Sequence, residues 1–438
     1  MKKTCTAKGN RGRRNGLARA ILLAAAAGLV VTACGADDGS GNTTGTTDDA
    51  AGDGAVTDGA GGEGGSALAI GGVLPLSGES AEFGGSMARG MELAAEQINT
   101  CGVLDVSLHI EDDGTDEQTA IGAIQKLVNV DDVPAIVGSV ASRITLAIAD
   151  TAIQNQRVLV APGSSSPVIT DYDDDGYLFR TLPSDLDQAP AIAEVAVARE
   201  FRQVNVVALN DDYGKGLSQA FSDSFEASGG SVGTVRLIDP KGVDFAADVR
   251  AALRDDPDAL LLAVFPETGS AVLRALAQQG AIGETPLLMM NGLAVAGFPE
   301  QAGVDLDGEV GVRPTSGGPG DDYFTEQFQE KFDTAPGYAT SNAYDATMLI
   351  ALAAAAGEPT GPAIRDHLRD VSAGGTQYTP DQICAALEAA AAGEDVDYTG
   401  ASSNAELDEN GDLATPVFDE WTFEDGTPVR LRVLELGT

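Results

Sequence analysis

Val204-Asn205-Val206-Val207-Ala208-Leu209 runs straight into Asn210-Asp211-Asp212-Tyr213-Gly214-Lys215-Gly216, and this stretch decides the architecture. A short apolar run stopped by a polar turn, then a helical pattern from Gly214 to Ser228, reads as one βα unit. The unit recurs along the chain. Apolar runs at Leu68–Leu76, Val106–Ile110, Ala135–Val137 and Val158–Ala161 each lead into a helical pattern, starting near Gly84, Asp116, Ser142 and, after a loop, Ser184. A second series at Val204–Leu209, Val232–Ile238, Ala259–Phe265 and Pro286–Met290 alternates with helices near Gly214–Ser228, Phe245–Arg254 and Glu267–Gln279. Alternation of this kind builds parallel sheets, so two series predict an α/β protein of two doubly wound lobes. Helical patterns follow at Asp321–Lys331, Ala339–Ala356, Gly361–Asp370 and Pro380–Ala392. A last pair of strands is expected around the Asp408–Asp412 turn and from Val417 to Val433.

The 438 residues suffice for two lobes, and an apolar content of 43% with only 5% aromatics implies a core of small aliphatic side chains. A formal charge of −41 argues against nucleic acid, because a phosphate backbone demands a concentrated basic surface. The acidic excess reads as a solvated surface and assigns no cationic ligand.

Lys2, Lys3, Lys8, Arg11, Arg13, Arg14 and Arg19 precede an apolar run from Ala20 to Val31, the layout of an export signal. That run is shorter than the roughly 20 residues a bilayer-spanning helix needs. It ends in Val31-Thr32-Ala33-Cys34, which resembles a bacterial lipobox. The resemblance implies a signal peptide over 1–33, cleavage before Cys34, lipid on its sulfur, and a chain held outside the cell membrane. Residues 34–66, rich in Gly, Asp, Thr and Ala, read as a flexible tether. Of four cysteines, Cys101 and Cys384 are then left: a disulfide closing a long loop, or two separately buried thiols.

Open α/β sheets bind ligands where loops gather at the carboxyl ends of their strands. Those loops here are Leu76-Ser77-Gly78-Glu79, Gly138-Ser139-Val140-Ala141-Ser142 and Pro162-Gly163-Ser164-Ser165-Ser166. Hydroxyls and free amides before a helix cradle a carboxylate or carbonyl oxygen, though glycine and serine are also ordinary turn and cap residues. Pro75-Leu76-Ser77-Gly78 with Phe83-Gly84, the Gly138–Ser142 loop, Pro162-Gly163-Ser164-Ser165, Phe179-Arg180-Thr181 and Asp211–Gly216 together resemble leucine/isoleucine/valine-binding proteins and related receptors for branched-chain amino acids and amides. The resemblance runs from about Ala67 to the end.

It implies a type I periplasmic-binding fold: lobe 1 from 67–183 and 318–414, lobe 2 from 184–317 and 415–438. Three crossovers fall near Leu182–Ser184, Pro314–Gly320 and Ala414–Pro416. It also implies an ABC-transporter permease as partner, no cofactor or metal, and a small ligand clamped between the lobes. By position, Ser142 and Ser165 supply hydroxyls and Gly163 a backbone group to a carboxylate or carbonyl end. Phe83 and Tyr213 wall the pocket, with Phe265 near another aromatic position despite a slightly different spacing.

One departure stands out. The family sets a second-lobe carboxylate against the ligand ammonium, but the matching segment reads Met289-Met290-Asn291-Gly292-Leu293. A buried ammonium without an anionic partner is costly. Either Glu267, Asp211, Asp212, Glu79 or Glu82 replaces it, or the ligand is an amide, urea or small carboxylate that Asn291 hydrogen-bonds. The same clamp also serves a ligand sensor. An enzyme has little support: His109 and His367 lack a neighbouring nucleophile or ligand spacing, and no nucleophile elbow or phosphate loop occurs. Asp171–Gly176 starts like a calcium loop, but Leu182 occupies the place of the closing glutamate.

Overall fold

The structure is a computed structural model that describes residues 65–315 and 317–434. The signal, Cys34 and the tether therefore lie outside the described residues, except that the first strand already begins at Ser66. Strands β1 (Ser66–Leu74), β2 (Leu104–Asp112), β3 (Ala135–Gly138), β4 (Val158–Ala161) and β5 (Leu178–Arg180) form one parallel sheet in the order β2-β1-β3-β4-β5. β1 pairs with β2 from Ser66 beside Leu104 to Leu74 beside Asp112, and with β3 from Ile70 beside Ala135. Its helices are α1 (Ala81–Thr100), α2 (Glu117–Asn129), α3 (Ser142–Gln154) and the short α4 (Pro167–Thr170).

The chain then crosses to a second sheet through α5 (Asp185–Ala198). Here β6 (Gln203–Leu209), β7 (Ser231–Ile238), β8 (Ala259–Ala263), β9 (Leu287–Met289) and β10 (Val310–Pro314) repeat the first order as β7-β6-β8-β9-β10. They alternate with α6 (Asp212–Ala227), α7 (Ala246–Ala252), α8 (Pro266–Gln278) and α9 (Phe298–Ala302). Strands such as Ala259-Leu260-Leu261-Leu262-Ala263 are buried throughout, as parallel strands covered by helices on both faces must be.

After β10 the chain returns to the first lobe with α10 (Asp321–Phe332), α11 (Thr340–Ala356) and α12 (Gly361–His367), followed by α13 (Ile383–Ala391). A separate pair, β11 (Thr376–Tyr378) and β12 (Val396–Tyr398), lies around α13. α11 is buried on every side from Thr340 to Ala354, against α1, α12 and α13. Its one acid, Asp345, accepts from Tyr398 Oη (2.9 Å), Ala401 N (2.9 Å) and Ser402 N (2.7 Å), which fixes the segment after β12. Cys101, just past α1, is disulfide-bonded to Cys384 in α13, closing a separation of 283 residues.

The chain ends back in the second sheet with β13 (Phe418–Glu424), antiparallel to β10, and β14 (Thr427–Leu434). This differs from the strand pair expected around Asp408–Asp412. That turn makes only the isolated bridge Leu407–Leu413, and Asp408 spends its carboxylate on the amides of Asn410 and Asp412. The true hairpin turns at Asp425-Gly426, both at positive φ (50° and 72°), the combination a tight two-residue turn requires. The crossovers are tied to one another. Fully buried Arg180 at the end of β5 grips Asp412 (Nε–Oδ1 2.5 Å, Nη2–Oδ2 2.6 Å), and Thr181 Oγ1 donates to Asn342 O of α11 (2.9 Å). The bidentate arrangement fixes both position and orientation.

Candidate ligand site between the lobes

The carboxyl ends of both sheets face a common cleft, and the loops leaving them carry the polar groups. Buried Asp113, the residue after β2, accepts from Ser139 Oγ (2.6 Å) and so anchors the loop that opens α3. Ser164 Oγ lies 2.8 Å from Thr145 Oγ1, and Ser142 Oγ accepts from Ser166 N (3.1 Å), locking the β3 and β4 loops together. Gly163 is required by that closeness: a Cβ there would lie 2.8 Å from Val140 Cα. Packing thus accounts for Gly163 without any ligand. α3 begins after Ala141 with no capping side chain among the described residues; the amides of Ile144 and Thr145 donate to Ala141 O (2.8 and 3.1 Å), which leaves those of Ser142 and Arg143 to receive an anion.

The aromatic residues meet across the cleft. Phe83, from the first turn of α1, lies 6.3 Å from Phe265 at the start of α8 and 4.9 Å from Tyr338. Tyr213, in the first turn of α6, stacks on Phe265 at 5.5 Å. Asn291 Nδ2 donates to Tyr338 Oη (3.1 Å), joining second lobe to first. Further bridges between the lobes are Arg143 Nε to Asp211 Oδ2 (3.6 Å), Ser166 Oγ to Asp212 O (2.9 Å), Thr268 Oγ1 to the Glu79 carboxylate, and exposed Lys241 to Asp116 (3.1 Å). The lobes are closed on each other.

The expected acids do not supply a free buried carboxylate. Glu82 and Glu267 are exposed, and Asp212 is half-buried. Asp211 is engaged by Arg143 and caps Gly214 N (3.0 Å), while Glu79 receives Thr268. The group that fits is Asp185, the first residue of α5 and fully buried. Its amide donates to Ser165 O (2.7 Å) and its Oδ1 accepts from Gln188 Nε2 (3.1 Å), but Oδ2 has no hydrogen-bond partner among the described residues. Burial pushes its pKa up to about 7, and the Ser165 hydroxyl and the Arg180 charge offset only part of that. The Tyr213 hydroxyl is likewise buried without a partner, and burial followed by the Asp185 charge pushes its pKa well up. Buried polar atoms normally find partners, so an idle carboxylate oxygen and a neutral phenol hydroxyl, both buried and unpartnered among the described residues, mark a place built for a donor-rich group.

Sequence reasoning passed over Asp185 because an acid in the first turn of a helix is commonplace. Its signal was position: it follows Phe179-Arg180-Thr181 at the first crossover, with Gln188 one turn on.

A lobed clamp of this topology, with its polar groups at the carboxyl ends of both sheets, defines a class of solute-binding proteins. The chain belongs to the periplasmic binding protein family, which matches residues 67–408. It is similar to the chemotactic signal transduction system substrate-binding protein BasB of Halobacterium salinarum, at 28% identity over 78% of this chain and 84% of that protein. It is also similar to the Leu/Ile/Val-binding protein homolog 3 of Brucella melitensis, at 24% identity over 83% of this chain and 93% of that one. Among solved structures, the leucine-binding protein LivK of Thermotoga maritima superimposes with a TM-score of 0.72, at 24% identity over 84% of this chain and 98% of that one. The fold is the type I periplasmic-binding fold.

Proposed function

We propose that this chain captures a free α-amino acid outside the cell, closes its lobes over it and presents it to an ABC-transporter permease, anchored to the membrane by lipid on Cys34. The observation that carries the reading is that Asp185 Oδ2 and the Tyr213 hydroxyl, near enough for the Asp185 charge to act on the tyrosine, are both buried and have no partner among the described residues. An ammonium group offers three donors and a positive charge, which meets both needs at once. The ligand carboxylate goes to the Ser142 and Arg143 amides that open α3, with the Ser142 and Ser165 hydroxyls beside it. Phe83, Tyr213 and Phe265 enclose the rest, and Asn291 acts through Tyr338. Closure is a population shift: contacts made by both lobes favour the closed arrangement.

The test is a thermal-shift screen of the purified protein against amino acids, simple amides, urea and small carboxylates, since a ligand of the native state raises its melting temperature. Amino acids alone should shift it, with compaction in solution scattering. Shifts confined to amides or carboxylates, or unchanged dimensions at saturation, would overturn the reading. The chemotactic relative favours a second reading, in which the same clamp reports its ligand to a signalling receptor. Deleting the gene separates the two: importer function predicts lost uptake, sensing predicts lost taxis with uptake intact.

A further inference from the structure

One buried ion pair joins the two lobes, and it starts from the helix that opens on the ligand. Arg143 is the second residue of α3, and its amide, with that of Ser142, is the one left open at the start of the helix. Its side chain bridges the cleft. Nη1 donates to Thr115 O in the first lobe (3.1 Å), and Nε lies 3.6 Å from Asp211 Oδ2 in the second. Both ends are fixed. Buried Thr115 gives its amide to Asp113 Oδ1 (2.7 Å) and accepts from Ser80 N at Oγ1 (3.2 Å), so its carbonyl is a set acceptor. Asp211 caps α6 through Gly214 N (3.0 Å), on the helix whose first turn carries Tyr213. Arg143 thus has its backbone where the ligand carboxylate docks and its side chain on the opposite lobe.

The Arg143 and Asp211 side chains are only 11% and 5% exposed. Taking two charges out of water is costly and only their mutual attraction offsets it, so a charged Asp211 enters the closed cleft at a penalty unless a cation meets it there. Arg143 serves more than one acid. Burial pushes the pKa values of Glu79, Asp113 and Asp211 up, and Arg143 is the cation that opposes the shift at all three. Closure sets Glu79 of the first lobe on Thr268 of the second, where the Asp211 and Glu267 charges act against it. In a chain of charge −41, lobe faces of this kind repel unless a cation lies between them. Lys241 and Asp116 also pair across the cleft, but both are exposed, and pairs of that kind contribute little. A space of about 450 Å³ is lined by all four residues, so a shorter side chain at 143 borders existing space and not a packed core.

We propose that Arg143 is the positioning residue that couples ligand capture to lobe closure: the ligand carboxylate settles on the Ser142 and Arg143 amides, and the Arg143 side chain holds Asp211, and with it the start of α6, in the closed arrangement. This rests on the amino-acid reading above and adds the contact that passes binding on one lobe to the other.

The experiment titrates the wild-type protein calorimetrically with the common amino acids, then carries the tightest-binding one to Arg143→Gln and to the double variant Arg143→Gln with Asp211→Asn. Glutamine keeps the backbone amide and a donor for Thr115 O but removes the charge, and asparagine still caps a helix. Arg143→Met replaces Arg143→Gln in both proteins if the latter shows no cooperative melting. The single variant should bind at least about tenfold more weakly, because Asp211 is then buried without its cation. The double variant should recover at least about fivefold of that loss, since a neutral pair leaves no uncompensated charge. A change in the other lobe cannot repair a merely local role of Arg143 at Thr115, so the recovery identifies the coupling. A loss below tenfold, or a recovery below fivefold, overturns the proposal and leaves the amino-acid reading standing. No amino acid binding to the wild type overturns both.

Discussion

Asp185→Asn separates what the carboxylate does for the ligand from what it costs the empty protein. The side chain is fully buried and its pKa stands at about 7 against an ordinary value of 3.8. That gap corresponds to about 4 kcal/mol, at about 1.4 kcal/mol for each tenfold change in proton affinity. The pKa is raised, so the folded state keeps the proton after the unfolded chain has lost it. Stability from this group is therefore highest below 3.8, falls as pH rises toward about 7, and is flat above that. Asparagine carries no such penalty, so without ligand the variant should be more stable than wild type by up to about 4 kcal/mol above neutral pH, the advantage fading toward about pH 4. Binding should move the other way. Removing one partner of a buried pair costs roughly 3–5 kcal/mol, so the amino acid should bind at least about 150-fold more weakly. Wild-type affinity should itself fall as pH drops below about 7, because the protonated carboxyl no longer attracts an ammonium. Urea titrations across pH, paired with calorimetry, read both quantities. An unchanged affinity, or a stability difference that ignores pH, would refute the reasoning.

Three other substitutions bear on separate parts of the account. Ser165→Ala removes a hydroxyl beside both the ligand carboxylate and Asp185, and calorimetry should show a loss of about 1 kcal/mol or more. Tyr213→Phe should weaken binding by about 1–2 kcal/mol while leaving the apo melting temperature unchanged or higher, since the deleted hydroxyl is a buried group without a partner. Replacing Cys101 and Cys384 together by serine frees a crosslink spanning 283 residues and should cost about 4 kcal/mol in chemical denaturation, with ligand affinity intact.

Much of the fold was legible because its signal is periodic. The runs at Val204–Leu209 and Ala259–Phe265 fall on β6 and β8, and the turn signals at Asp116 and Ser142 fall where α2 and α3 begin. β5 and β11, three residues each, are too short for any periodicity to register, and both are fixed by neighbours distant in sequence. The Asp408–Asp412 segment misled because its Asn-Gly turn chemistry is real, but its carboxylates serve the loop and Arg180 instead of a hairpin. Among the site residues, Phe83, Tyr213 and Phe265 come together as rings, and Asn291 joins them through Tyr338, which no local pattern distinguished from a loop aromatic. Asp185 needed the fold itself: only burial between the Ser165 loop and Gln188 turns a routine first-turn acid into a carboxylate with an idle oxygen.

An ammonium held by Asp185 and Tyr213 is the central assignment, and the most direct measurement compares an amino acid with its analogue lacking only the amino group, titrated calorimetrically against the wild-type protein above neutral pH. The amino acid should bind at least about 100-fold more tightly, the loss expected when a buried carboxylate is left without its cation. Equal affinity for the two would contradict the assignment of Asp185 and Tyr213 and make the site a receptor for carboxylates alone.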